Sequence, residues 1–102
     1  MNRSFALTVE AEANLIEIWE YLAIDRSIET ADANITAIYD ECQKLGEMPG
    51  IGHYRQELLD QTYKFWRAGP YMIVYRWQVQ PIDVIAVVHG ARDLQAFFGD
   101  RS

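Results

Sequence analysis

Basic side chains are scarce in this chain and cysteine is scarcer still. Nine Lys and Arg stand against fifteen Asp and Glu, a net charge of −6, which opposes approach to a polyanion. The single cysteine, Cys42, cannot form an internal disulfide, so the chain is expected in a reducing compartment and not among disulfide-stapled secreted domains. No apolar run approaches the roughly 20 residues of a membrane span, and MNRSFALTVEAEAN has no apolar signal core. The expectation is an unprocessed cytoplasmic protein with no membrane partner. Repeats, linkers and low-complexity segments are also missing, so residues 1–102 read as one domain.

What is plentiful is apolar and aromatic area. Half of the residues are hydrophobic, with three Trp, six Tyr and four Phe, enough to offset the entropy of ordering a single core. The charge is also uneven. Residues 1–52 hold three Arg or Lys against ten Asp or Glu, a net of −7, whereas residues 53–102 hold six against five, a net of +1. A local basic site in the second half therefore survives the overall acidity.

The hydrophobic period changes once along the chain. SFALT (4–8) alternates as a short strand, and Thr8 is placed to cap a helix whose first turn carries Glu10 and Glu12. Ala11, Leu15, Ile18, Trp19 and Leu22 form one helical face, with Asn14, Glu17 and Glu20 assigned to the other. After a break at 25–29, Ala31, Ile35, Ile38, Cys42 and Leu45 make a second stripe, closed by Gly46 and Pro49. The short join predicts an antiparallel hairpin of helices. Cys42 lies on that stripe and reads as a small core residue.

From Tyr63 the period is two. Strands are predicted at 63–68, 71–77 and 82–88, the last almost wholly apolar and so central and buried on both faces. Asp93 is placed to cap a short final helix over 94–98. The fold class is α+β: an N-terminal strand, a two-helix hairpin, a three-stranded antiparallel sheet and a C-terminal turn of helix.

Neither a metal site nor a phosphate loop is readable. His53 and His89 lie far apart, no Cys-x-x-Cys exists, and PGIG (49–52) lacks the lysine and helix that a P-loop requires. No cofactor is expected. Five of the six cations of the second half, Arg55, Lys64, Arg67, Arg76 and Arg92, attach to the C-terminal sheet together with His89. Arg76 interrupts an otherwise buried strand and must reach solvent, pair with a carboxylate such as Asp83, or face a ligand. His89 is either a strand-end imidazole held by a carbonyl or an acid–base group. If the chain cleaves RNA, His89 supplies the proton transfer and Arg76, Arg67 and Arg92 clamp the phosphate.

Four segments carry a resemblance. ANLIEIWEYL (13–22), LGEMPGIGHYRQEL (45–58), GPYMIVYR (69–76) and VVHGARD (87–93) together resemble the ParE toxins of the RelE/ParE superfamily of bacterial type II toxin–antitoxin systems. The resemblance spans nearly the whole chain and implies the same order of elements. RelE-like members are ribosome-dependent messenger RNA endonucleases with a basic active face; ParE-like members poison DNA gyrase by binding. The HGARD ending and the acidity resemble the ParE side, which implies a binding protein and not an enzyme. RNA cleavage, or a toxin fold that only binds its antitoxin, are the alternatives. One departure is Lys64, where many ParE relatives carry arginine.

The resemblance also implies an antitoxin, commonly with a ribbon-helix-helix or similar DNA-binding half, whose C-terminal segment covers the toxin in a hetero-oligomer. On this reading Arg67, Arg76, Arg92, Phe97 and Phe98 face the target, while Trp19, Tyr39, Lys64 and Trp66 meet the antitoxin.

Overall fold

In a computed structural model of the chain, which describes residues 4–54 and 62–90, two helices pack against one face of a four-stranded sheet. The elements are β1 (Phe5–Leu7), α1 (Val9–Asp25), α2 (Ile28–Glu47), a 3-10 turn (Pro49–Ile51), β2 (Tyr63–Ala68), β3 (Tyr71–Arg76) and β4 (Ile82–His89). The strand order is β1-β4-β3-β2. The expected N-terminal strand is therefore part of the sheet: it pairs in parallel with β4, Phe5 against Ile82 and Leu7 against Val84. The other neighbours are antiparallel. The predicted final helix lies outside the described residues. No described helix is long and apolar enough to cross a membrane.

Side chains set the helix starts. Thr8 Oγ1 accepts the Ala11 N–H at 3.1 Å, and Ser27 Oγ accepts the Thr30 N–H at 3.0 Å, each satisfying one of the donors a helix N-terminus leaves free. Only Arg26 and Ser27 separate the helices, both bonding back to the Leu22 carbonyl. The core between helices and sheet gathers Leu15, Ile38, Cys42, Leu45, Ile73, Tyr75 and Val84. A second cluster, Phe65, Val74 and Ala86, lies on the opposite face of the sheet. β4 is thus buried on both faces, as its apolar run predicts.

Two details differ from the expectation. The register between β3 and β4 slips by one residue: Val74 opposes Ala86 but Tyr75 opposes Val84, leaving Ile85 extra. Simple alternation would put Ile82, Val84, Ala86 and Val88 together. Instead Ile82, Val84 and Val87 join the helix-side core while Ala86 and Val88 join the other cluster. Gly46, expected as the stop of the second helix, lies inside it, one residue before Glu47. Its missing side chain serves packing, because a Cβ there would collide with the Ser4 carbonyl and side chain.

Two measurements follow from this packing. Gly46→Ala ordinarily favours a helix by about 1 kcal/mol, but the collision with β1 reverses the sign, and urea titration should show a net loss of about 1–3 kcal/mol. Burial, with a smaller contribution from the Glu41 charge, pushes the Cys42 thiol up from 9.0 to about 12. Its stabilisation is fully present below about pH 9 and is lost as pH rises toward about 12. The folded thiol should resist a disulfide dye until the chain is unfolded, and Cys42→Ala should remove part of the alkaline fall in stability.

Candidate functional site

The segment after α2 is tied to the sheet by one phenol and one ammonium. Tyr75 Oη donates to the Pro49 carbonyl at 2.7 Å and accepts the Gly52 N–H at 3.0 Å. Gly52 has to be glycine at this approach, since a Cβ would strike the Tyr75 ring. Burial pushes the Tyr75 phenol up, partly offset by the Gly52 N–H. Lys64 is only 8% exposed. Its ammonium lies 4.1 Å from the centre of the Tyr54 ring and 4.9 Å from that of Trp77, and donates to the Gly52 carbonyl at 3.3 Å. Two aromatic faces thus flank this buried cation.

Lys64, expected to meet the antitoxin, has its charged end against the Tyr54 and Trp77 rings of its own chain. The other three expected contact residues are partly exposed but already engaged. Trp19 Nε1 donates to Asp32 Oδ1 at 2.8 Å, joining α1 to α2. Trp66 Nε1 donates to Glu41 Oε1 at 2.7 Å, with the His53 ring stacked on the indole at 5.8 Å. Tyr39 packs against Phe5, ring centres 6.0 Å apart.

An open groove of about 810 Å³ runs between α1 and the end of the β3–β4 hairpin. Ile18, Leu22, Tyr71 and Val87 supply apolar walls, and Glu17, Asp25, Tyr21 and His89 line it as well. It exists because β1 is short. That strand ends at Leu7, opposite Val84, so among the described residues Ile85–His89 continues with no strand on that side. Helical side chains serve part of the uncovered edge: Thr8 Oγ1 donates to the Ile85 carbonyl at 2.9 Å, and Asn14 Oδ1 accepts the Val87 N–H at 3.0 Å. Periodicity places Asn14 on the polar side of α1, whereas it faces β4.

Among the described residues, Arg76 does not converge on His89. The His89 ring meets Tyr71 edge-on at 5.6 Å, and the two are register partners at one end of the hairpin. Arg76 is at the other end, opposite Asp83. Five residues of strand separate the two positions, roughly 17 Å. Arg76 and Asp83 are register partners, yet no ion pair joins them among the described residues. Arg67 is exposed on β2 opposite Met72. Arg92, Phe97 and Phe98 lie outside the described residues. A site combining His89 with Arg76 is therefore not assembled; the one guanidinium among the described groove residues, Arg26, is paired with Asp25 at 3.4 Å.

Sequence comparison matches residues 5–94 to the model of the ParE toxin of the type II toxin–antitoxin system parDE. The chain belongs to the ParE toxin family. Among solved structures it is similar to a chain of the chromosomal ParDE toxin–antitoxin system from P. aeruginosa, with a TM-score of 0.72 over 84% of this chain and 94% of that one. At 16% identity that likeness speaks for the shared fold. None of the curated proteins matches. The sequence marks neither Asn14 nor Tyr71 as a groove residue; the open edge follows from a first strand of three residues beside a last strand of eight.

Lys64→Met keeps the aliphatic stem but removes the cation and the bond to Gly52. The expected result is a loss of about 1–3 kcal/mol in urea titration, with binding to partner proteins unchanged under conditions where the variant remains folded.

Proposed function

We propose that this ParE-family toxin acts by binding, with DNA gyrase as its target, and that a cognate antitoxin neutralises it by occupying the groove beside β4. The groove carries the antitoxin half of this reading. An extended segment laid along Ile85–His89 would continue the sheet where β1 stops, gaining main-chain hydrogen bonds from the strand and apolar contact from Ile18, Leu22 and Tyr71. An antitoxin with a DNA-binding half, of ribbon-helix-helix or similar type, would make the pair a hetero-oligomer.

The target half rests on where the cations stand. The helices hold most of the acidic residues, whereas Arg67 and Arg76 are exposed on the strands. By alternation both arginines share the sheet face turned away from the helices. That face offers a protein partner exposed guanidiniums, which are favoured at binding hot spots. The separation of His89 from Arg76 argues against RNA cleavage as the activity.

Purified toxin added to gyrase and supercoiled plasmid should trap linear DNA in cleavage complexes. Arg67→Ala with Arg76→Ala should weaken trapping by roughly tenfold or more, whereas His89→Ala should leave it within about twofold. Absence of trapping at excess toxin, or ribosome-dependent mRNA cleavage abolished by His89→Ala, would overturn the gyrase reading. Growth arrest relieved by co-expression of the neighbouring gene tests the antitoxin separately.

A further inference from the structure

The residues of α1 form two apolar stripes, and the fold uses only one. Ala11 and Leu15 are buried against the core, and Ile18 and Leu22 follow them on that side. On the opposite side stand Val9, Ile16 and Ile24, which are 86%, 60% and 88% exposed. Their spacings of seven and eight residues return them to one face of a helix with about 3.6 residues per turn. Ala13 and Ala23 fall between them. A single exposed isoleucine is ordinary. A repeated stripe spanning roughly 22 Å along the axis at 1.5 Å per residue matches a partner helix of about four turns.

Charge identifies the kind of partner. Glu20 lies within the stripe and Glu12 and Glu17 flank it, all exposed, while α1 has no lysine or arginine at all. A second copy of this chain laid against the stripe would set these carboxylates against their equivalents, and like charges across a helical interface are destabilising. We propose that the outward face of α1 docks an amphipathic helix of a partner protein, one that carries an apolar seam flanked by Lys and Arg. This surface lies on the other side of α1 from the groove residues Ile18 and Leu22. It therefore stands whether or not gyrase is the target.

The probe is a pair of dye-labelled synthetic helices of about 15 residues, with the same leucine seam and either lysine or glutamate flanks. Binding to the full chain is followed by fluorescence anisotropy. The lysine peptide should bind at least about tenfold tighter than the glutamate peptide. Ile16→Asp with Ile24→Asp should weaken the lysine peptide at least about tenfold, although it adds negative charge. Glu12→Lys with Glu20→Lys should weaken it as well. Circular dichroism should show both variants folded at the assay temperature, with at most a modest loss of melting temperature, since every altered side chain is exposed. Three results would overturn the proposal: equal binding of the two peptides, tighter binding to the aspartate variant (attraction by charge alone), or a dimer of the chain that Ile24→Asp dissolves.

Discussion

Thr8 is the residue on which the layout of this molecule depends. Its N–H donates to the Val84 carbonyl at 3.1 Å as the last rung of the parallel β1–β4 ladder. Its hydroxyl accepts from Ala11 to start α1 and donates to Ile85, the extra residue of the β4 irregularity. A hydroxyl can donate once and accept twice, so one side chain ends a strand, begins a helix and holds the edge of the neighbouring strand. Because the chain turns into α1 at this point, β1 cannot continue alongside β4. The groove is the space that this early turn leaves.

The elements that depend on local pattern were legible in the sequence, and those that depend on approach between distant segments were not. Period alone located both helices, the three later strands and the burial of Cys42. It could not place Asn14, because a helical wheel shows which side is polar but not that β4 has an unserved N–H beside it. Gly46 looked like a stop signal, the commonest reason for glycine near a helix end, whereas its actual constraint is the passage of Ser4, 42 residues earlier. The slip at Ile85 was hidden in a run so uniformly apolar that either register satisfies it.

Lys64 shows the same limit in the candidate site. A lysine next to aromatic residues in a strand reads as surface, because lysine is rarely buried unless paired. Its partners here are Tyr54, ten residues earlier, and Trp77, thirteen residues later. They converge only because β2 and β3 pair in the register that sets Lys64 beside Tyr75, whose hydroxyl holds the segment leading to Tyr54. The arginines behaved differently. They remain on exposed strand positions, and the distance between Arg76 and His89 follows directly from antiparallel pairing once the hairpin ends are known.

Charge and geometry together support the proposed reading of binding over RNA cleavage. A phosphate-cleaving site needs its cations gathered around the proton-transfer group, and here the only described histidine on the later strands lines a groove with Glu17, Asp25 and an Arg26 already paired with Asp25, while Arg76 stands at the other end of the hairpin. The helical layer instead joins exposed apolar side chains to carboxylates, a combination that discourages self-association and favours basic partners. α1 is therefore shaped by demands on several sides: core packing through Leu15, sheet completion through Asn14, attachment of α2 through Trp19, and an apolar outer face through Ile16 and Ile24. The first three are met within the chain itself. The fourth is not, and a helix with so much apolar area left in water is accounted for by a partner that covers it.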